Sequence, residues 1–342
     1  MKRIQTVGVI GAGIAGLACA RMLHNSGIAV SVLEKSGGVG GRVATRGTDS
    51  GFTFDHGAQY FTARDEAFVE QVQQWLAAGT AALWQGRIVS LNQGLVADLN
   101  EPRERYVGVP GMNAISKWLA TGLSVQINVT AQSLRRTGGG WQLKDAAGIQ
   151  HGPYDLLIST APPEQTRTLL AGLSAALDES MSTVEMAPCW AVLAQMGERV
   201  QIPFDAAFVH SSPLSWVARN SSKPEREGAD CWVLHGSASW SREHLEELAD
   251  RIAQTLVEEF WQATKQTAKP LQFLVAHRWR YALPQEPLPQ RYLLDLNMNL
   301  GACGDWCGGP RIEGAFLSGL AMAKAVLEGI SESHSRQVNL GG

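Results

Sequence analysis

Short apolar runs alternate with glycine-rich turns along the first part of the chain. Thr6 to Ile10 is a run of strand-forming residues, and a helical stretch follows it to about Asn25. Ser26 and Gly27 then break the helix, and Ala29 to Leu33 is a second strand-like run. A strand, a helix and a strand in this order predict one βαβ unit with parallel strands.

The pattern of apolar positions changes after about Pro162. A stretch from about Arg242 to Thr264 carries apolar residues three and four apart, which predicts one packed amphipathic helix. Ile312 to Gly329, rich in glycine and alanine, predicts a second helix. Strand-like runs are predicted at 124–129, 141–144, 154–159, 190–195 and 231–235.

Composition and charge exclude several classes of protein. The 342 residues are 45% apolar and 18% charged, and the net charge of −3 offers no attraction to nucleic acid or to an anionic membrane. No apolar run approaches the roughly 20 residues that span a bilayer, and no targeting segment is seen. The five cysteines show no zinc-type spacing, so we expect reduced thiols and no metal site. We therefore expect a soluble cytoplasmic protein.

The loop between the first strand and helix reads GxGxxG. Gly11 permits a tight turn, Gly13 lets the backbone approach a pyrophosphate, and Gly16 lets the helix pack on its strand. The pyrophosphate would lie at the helix N-terminus, and Glu34, which ends the second strand, would accept hydrogen bonds from the adenosine ribose. The dinucleotide contacts predicted in this unit are Gly11, Gly13, Ile14, Ala15, Gly16, Glu34 and Lys35.

Three further segments resemble the two-dinucleotide-binding-domain flavoproteins. Residues 37–42 resemble their GG motif, 54–61 resemble the segment that passes over the isoalloxazine, and 303–305 with 312–315 resemble their C-terminal element. The resemblance implies non-covalent FAD, with Arg42 at the pyrophosphate and Asp305 at a ribityl hydroxyl. The start of the last helix would lie near flavin N1 and O2, where its dipole favours negative charge. The FAD contacts implied in this way are Gly41, Arg42, Gly57, Ala58, Gln59, Tyr60, Val129, Asp305 and Ile312.

These motifs lie near both ends of the chain, which implies an inserted second domain. We expect an α/β fold in which a Rossmann-like FAD-binding domain comprises residues 1–64, 104–166 and 288–335. The substrate domain would then comprise residues 65–103 and 167–287, as an α+β unit on a mixed or antiparallel sheet.

Nearly the whole chain is similar to the renalase family, of bacterial type, within the amine-oxidase-like flavoproteins. The similarity is strongest at 55–62, 109–112, 233–235, 278–280 and 303–305. It implies hydride transfer from 2- or 6-dihydroNAD(P) to flavin N5, giving NAD(P)⁺ and, with O2, hydrogen peroxide. The substrate-positioning residues implied are Tyr60, Asn220, His235 and Trp279.

Other functions remain open from the sequence. An amine oxidase is disfavoured because Arg311 stands where those enzymes often carry a cage tyrosine. A carotenoid- or porphyrinogen-type desaturase shares the motifs, and a non-catalytic redox sensor could use Cys303 and Cys307. Cations available for substrate phosphates are Arg64, Arg103, Arg105, Lys223 and Arg226, each expected to be a solvated surface charge. The sequence gives no indication of the oligomeric state.

Overall fold

The computed structural model describes residues 4–49, 51–99, 103–226 and 228–338, with side chains described up to residue 330. The helices in these ranges are α1 Ile14–Asn25, α2 Glu66–Ala77, α3 Ala114–Ala120, α4 Pro163–Leu170, α5 Ala175–Ser182, α6 Ala238–Glu243, α7 Ala249–Thr264 and α8 Arg311–Val338. The strands up to residue 126 are β1 Thr6–Ile10, β2 Ala29–Leu33, β3 Thr45–Gly47, β4 Thr53–Asp55, β5 Ala81–Leu83, β6 Ile88–Asn92, β7 Leu95–Asp98, β8 Tyr106–Gly108 and β9 Ser124–Gln126. The later strands are β10 Ala131–Thr137, β11 Gly140–Asp145, β12 Gln150–Tyr154, β13 Leu156–Ser159, β14 Met186–Met196, β15 Ala206–His210, β16 Leu214–Arg219, β17 Asp230–Gly236, β18 Leu271–Pro284, β19 Leu293–Asp295 and β20 Leu300–Ala302.

The N-terminal βαβ unit forms the centre of a six-stranded sheet in the order β19-β20-β13-β1-β2-β9. β1 pairs in parallel with β2 on one side and with β13 on the other, which confirms the predicted unit. β1 is apolar and nearly fully buried because helices and loops cover both faces of a parallel sheet. The carboxyl end of β1 leads directly into the glycine loop.

Helix α8 packs against α1 through a glycine. A Cβ placed on Gly319 would lie 2.2 Å from the carbonyl oxygen of Ala15, so only a glycine permits this approach. Leu17, Met322 and Val326 are buried beside this contact. The C-terminal helix thus becomes part of the same core as the N-terminal glycine loop.

A seven-stranded sheet has the order β18-β14-β17-β16-β15-β6-β7. Its pairs are antiparallel except for β15 with β6, so the sheet is mixed, as predicted. Helix α7 covers one face, where Leu256 and Phe260 pack on Trp232 and Leu234. The opposite face is left for the segment that follows β4.

The α/β fold class is confirmed, with a Rossmann-like unit and mixed sheets. Strands of the six-stranded sheet all come from the segments assigned to the FAD domain, and strands of the seven-stranded sheet come from the others. Helix α2, however, buries Phe68 and Trp75 in the core that contains Val7. The division into two domains stays a proposal, and residues 1–3, 50, 100–102 and 227 of its ranges lie outside the described residues.

The single helix predicted over 242–264 is wrong, because the chain forms α6 and α7 with a turn between them. The His244 carbonyl accepts a hydrogen bond from Trp190 Nε1 at 3.0 Å, which ties the turn to β14. Leu248 precedes α7 and is 79% exposed. Its position fits the apolar periodicity of the sequence, but its side chain does not pack in the core.

Two predicted strands also end differently. The run 154–159 is divided between β12 and β13, because the Asp155 carboxylate accepts the backbone N–H groups of Gln5 and Thr6 at 2.9 and 3.0 Å. The run 124–129 is a strand only to Gln126, since Asn128 adopts a φ of +60°. In the described part of the chain, no helix is both long and apolar enough to cross a bilayer.

We expect Gly319→Ala to lower the free energy of unfolding by about 2 kcal/mol, because the new Cβ must push α8 away from α1. Gly329→Ala in the same helix is the matched control, since a Cβ there meets its nearest atom at 3.4 Å. Alanine should stabilise that position by up to about 1 kcal/mol. Urea unfolding of both variants measures the difference, and equal effects would show that the approach of the two helices is not limiting.

Candidate active site

The GxGxxG loop presents backbone rather than side chains at the start of α1. Gly11 has a φ of +102° and donates its N–H to the Leu33 carbonyl at 2.8 Å. Gly13 is the N-cap of α1 and supplies no capping side chain, and a Cβ there would meet nothing within 4 Å. The N-terminal amides of a helix without a side-chain cap are suited to bind an anion.

The second glycine loop lies against the first. Gly40 forms a parallel bridge with Gly13 and donates its N–H to the Ala12 carbonyl at 2.9 Å. Gly40 and Gly41 both have positive φ, and a Cβ on Gly41 would lie 3.5 Å from the Gly13 Cα. The loops 11–16 and 37–42 therefore form one narrow cradle of backbone, which is the shape that a pyrophosphate requires.

Glu34 ends β2 as predicted and is 5% exposed. Its carboxylate accepts the N–H of Ala12 at 2.7 Å and that of Ser36 at 2.8 Å. Val129 lies beside it and donates its N–H to the Glu34 carbonyl. Lys35 points elsewhere, since it is exposed and reaches only Gln165, at 3.5 Å.

Arg42 and Asp305, implied as separate cofactor contacts, form a bidentate ion pair. The two N···O distances are 2.7 and 2.8 Å, and Arg42 also donates to the Ala282 carbonyl at 2.9 Å. The Arg42 carbonyl accepts the N–H of Ala58 at 2.9 Å, and a Cβ on Gly57 would lie 2.0 Å from that same oxygen. The GG loop, the 53–61 segment and the C-terminal element thus meet at one place. A contact of Arg42 with phosphate stays a prediction.

Helix α8 begins at this meeting point. Ile312 is buried in its first turn, whereas Arg311 is exposed and has a φ of +85°. The Glu313 carboxylate accepts the N–H groups of Arg64 and Asp65 at 2.7 and 2.8 Å, which fixes the chain after the 53–61 segment to the helix.

A buried carboxylate in the 53–61 segment, that of Asp55, forms ion pairs with two cations. Asp55 Oδ2 lies 3.1 Å from Lys223 Nζ and 2.8 Å from the Arg226 guanidinium, and all three side chains are essentially inaccessible to solvent. Asp55 Oδ1 accepts from Thr45 Oγ1 at 2.8 Å and from the Met112 N–H at 2.9 Å. We call Asp55, Lys223 and Arg226 the cation cluster.

The prediction that Lys223 and Arg226 are surface charges is wrong. Lys223 donates to Asp55, Gln59 and Asn220, at 3.1, 3.2 and 3.2 Å. Burial lowers the pKa of Lys223 to about 8, while Asp55 opposes that shift. Burial raises the pKa of Asp55, but the two nearby cations act in the opposite direction. The pKa of Asp55 therefore lies below its ordinary value. At neutral pH the cluster therefore holds two positive charges against one negative charge.

Aromatic and imidazole side chains cover the face of the seven-stranded sheet next to this cluster. Trp216, His235, Ala191 and His277 are direct neighbours across β16, β17, β14 and β18. Side chains of directly paired residues share a face, so these four form a row, which we call the aromatic row. Ala191 leaves space between the two imidazoles.

His56 of the 53–61 segment packs on this face. Its ring lies 4.7 Å from that of His277 and stacks at 5.1 Å on Trp279, whose Nε1 donates to the His56 carbonyl at 2.9 Å. Burial lowers the pKa of His56 to about 4, and His277 adds to the shift. Burial and then Lys223 lower the pKa of His235 to about 4 as well. Both imidazoles are neutral at pH 7.

Three of the four predicted substrate residues lie on or against this face, at different points along the aromatic row. Tyr60 lies 5.6 Å from Trp216, His235 is in the aromatic row, and Trp279 stacks on His56. Asn220 is fully buried behind them: its amide donates to the Thr53 carbonyl at 2.8 Å, and its oxygen accepts from Asp55 N–H and from Lys223. Asn220 thus holds the 53–61 segment in place through its side chain. Gln59 has a similar role, because its side chain bonds Lys223 and the Gly57 carbonyl.

Sequence reasoning missed most of the polar groups around this face. His56 and Asp55 stand inside the quoted 54–61 motif, so their position was visible although their partners were not. Lys223 and Arg226 lie in a polar run that resembles any surface loop, and His277 and Trp216 lie in strands whose pairing only the fold reveals. The signal that could have been used is the pair of cations within six residues of Asn220.

The cysteines offer little support for a thiol sensor. Each of the five is a free thiol, and Cys303 and Cys307 are both completely buried. Burial raises the pKa of Cys303 to about 12 and places that of Cys307 higher still. A thiol that is not ionised at neutral pH is a poor nucleophile.

Comparison with known proteins finds a family match at the N-terminus and likenesses of fold. Residues 9–76 match the family described as an NAD(P)-binding Rossmann-like domain. A segment of 55 residues, 16% of this chain, is 53% identical to lysine-specific histone demethylase 2 of Homo sapiens, and it spans only 7% of that protein's length.

Two solved structures share the fold over almost their entire length. One is assigned as a protoporphyrinogen oxidase, from Exiguobacterium sp. 255-15, with a TM-score of 0.75, 12% identity, and coverage of 95% of this chain and 99% of that one. The other is wild-type putrescine oxidase bound to putrescine, with a TM-score of 0.69, 14% identity and the same coverage. At this level of identity, the two structural likenesses show a shared fold.

We expect Asp55→Asn to lower the free energy of unfolding by about 3 to 5 kcal/mol, because it leaves two buried cations without a counter-charge. Adding Lys223→Met to this variant should recover part of the loss, since one uncompensated cation then remains. Asp98→Asn is the matched control, because its pair with Arg87 is exposed and contributes little. Urea unfolding gives all the values; a double variant less stable than Asp55→Asn would contradict the charge argument.

Proposed function

We propose that the chain binds FAD non-covalently and oxidises isomeric dihydronicotinamides, the 2- and 6-dihydro forms of NAD(P), to NAD(P)⁺. The observation that supports this proposal best is the surplus of buried positive charge beside the aromatic row. The comparisons support the coarser statement, a flavin-dependent oxidoreductase of the amine oxidase or protoporphyrinogen oxidase type.

The residues of the cradle fit the cofactor. Uncapped amides at Gly13 and the backbone of Gly41 suit a pyrophosphate, and the buried Glu34 carboxylate has lone pairs left for ribose hydroxyls. When bound, FAD would accept a hydride and later pass two electrons to O2, which takes up two protons to give hydrogen peroxide. The chain's own residues have to position the donor and exclude water.

The charge of the site discriminates between substrates. Lys223 and Arg226 share one carboxylate, and His56 and His235 are neutral, so the described groups around the aromatic face carry net positive charge. A protonated amine would be repelled in such surroundings, whereas a dinucleotide with its phosphates is attracted.

The neutral aromatic face suits the chemistry of a dihydropyridine. Such a ring becomes aromatic when it gives up a hydride, so it needs no strong base and mainly requires correct placement. Tyr60 and Trp279 offer flat surfaces, and the buried His235 imidazole offers a neutral polar edge. The position of the hydride-donating carbon relative to the hydride acceptor would then be set by packing.

A porphyrinogen is the second candidate substrate, because the fold likeness with the higher TM-score is to a protein assigned as a protoporphyrinogen oxidase. Porphyrinogens carry carboxylates, so the same positive charge would accommodate them. An amine substrate, as in putrescine oxidase, fits the fold but not the charge.

We expect Glu34→Gln to weaken FAD binding by about tenfold or more, because an uncharged amide accepts hydrogen bonds from ribose hydroxyls less strongly than a carboxylate does. Glu328→Gln, at an exposed position of α8, is the control. Titration of the apoprotein by quenching of FAD fluorescence measures the affinity. If both variants bind equally well, Glu34 does not contact the cofactor.

Anaerobic mixing of the FAD-loaded protein tests the substrate. We expect rapid bleaching of the flavin absorbance with a mixture of 2- and 6-dihydroNAD, and at least about a hundredfold slower reduction by benzylamine or putrescine, a difference of roughly 3 kcal/mol in the barrier. Separate isomers then show which form reacts. Reduction by an amine would overturn the charge argument, and reduction by a porphyrinogen alone would establish the second candidate.

A further inference from the structure

We infer that Arg105 and the Trp216 indole N–H, both of which lie against the Tyr60 ring, form a subsite that binds an anionic oxygen group of the substrate. This inference rests on the proposed function for the identity of the substrate, but the donors themselves are observed. Arg105 is one of the five cations that the sequence offers for substrate phosphates, and no sequence motif includes Trp216.

Pairing of the chain brings Arg105 beside Tyr60. Phe61 and Tyr106 form an antiparallel bridge with two backbone hydrogen bonds of 2.8 Å, so Tyr60 and Arg105 are diagonal neighbours on one face, within reach of long side chains. The Arg105 carbonyl accepts the Trp84 N–H at 2.7 Å, which fixes its backbone. Its guanidinium carbon lies 5.3 Å from the centre of the Tyr60 ring.

The Arg105 guanidinium has donor capacity left. Its Nε is buried and has no hydrogen-bond partner among the described residues, and one terminal nitrogen reaches only the Arg103 carbonyl, at 3.4 Å. The neighbouring Glu104 carboxylate accepts the Tyr106 hydroxyl at 2.6 Å. The Nε atoms of Arg219 and Arg226 are also buried without a partner, but the guanidinium of each is paired with a carboxylate.

Trp216 offers the second donor. Its side chain is more than nine-tenths buried, its ring lies 5.6 Å from Tyr60, and no described group accepts its Nε1–H. Two tryptophans nearby do have acceptors: Trp84 donates to Ser222 at 3.1 Å, and Trp279 donates to the His56 carbonyl. Trp216, like the buried Trp75, has an indole N–H without an acceptor among the described residues.

The two free groups are both donors, and one is permanently charged. Asp55 cannot serve as their partner, since its four acceptor sites are taken by Thr45, Met112, Lys223 and Arg226. A ligand that only accepts hydrogen bonds and carries negative charge meets both demands. A dinucleotide phosphate and a porphyrinogen carboxylate share this chemistry.

Ligand titration separates these sources without any turnover. The probes are NAD⁺ and nicotinamide riboside, which lacks the phosphates, together with coproporphyrin and its methyl ester in the same detergent buffer. Perturbation of the flavin spectrum of the FAD-loaded protein reports binding. Arg105→Gln removes the charge, Trp216→Phe removes the N–H and keeps a ring, and Arg251→Gln removes an exposed charge on α7, which covers the opposite face of the sheet.

We expect Arg105→Gln to weaken NAD⁺ binding by about tenfold or more, and Trp216→Phe by about threefold, with riboside binding and the Arg251→Gln variant unchanged. Loss of affinity for coproporphyrin but not for its ester, with no binding of NAD⁺, would support the subsite while overturning the dihydronicotinamide substrate. The subsite is overturned if Arg105→Gln affects charged and uncharged probes equally, if it affects neither, or if the wild-type protein binds none of them.

Discussion

Asp55 is a carboxylate that is fully buried from solvent, and three segments of the chain supply its four hydrogen-bond donors. Thr45 comes from β3, the Met112 N–H from the turn before α3, and Lys223 and Arg226 from the loop after β16. A buried charge is tolerated only when its lone pairs are satisfied, so these segments must all be in place at once. The position of the 53–61 segment, and of everything that packs on it, depends on this one residue.

The same cluster sets the electrostatics of the candidate site. Two cations on one carboxylate leave positive charge, and this charge helps to lower the pKa of His235, which burial has already lowered. His56 is neutral for a different reason, since burial and the nearby His277 lower its pKa. The result is a face with neutral hydrogen-bonding groups above a buried positive charge. Such a face attracts anions and lacks a strong general base, which is the combination a hydride donor with phosphates requires.

Local sequence patterns predicted the cofactor cradle well because its contacts are encoded within short stretches. A glycine loop between a strand and a helix, followed by Glu34, gives the same backbone shape wherever the βαβ unit forms. The cation cluster could not be predicted in this way. Lys223 and Arg226 lie in a polar run whose burial arises only when it packs against a segment about 170 residues earlier. The helix over 242–264 failed for a related reason, since apolar spacing does not show that Trp190 binds the carbonyl at the turn.

Ala191 contributes to the packing of the 53–61 segment on the seven-stranded sheet. It stands between His235 and His277 in the aromatic row, and its small side chain leaves room for the edge of the His56 ring against His277. On the other side of the same segment, Gly57 allows the Arg42 carbonyl to approach so closely that any side chain would collide with it. The 53–61 segment therefore packs between the glycine loops and the seven-stranded sheet. Because both contacts are steric, the spacing between the predicted cofactor and the aromatic face is fixed by packing and not by any flexible side chain.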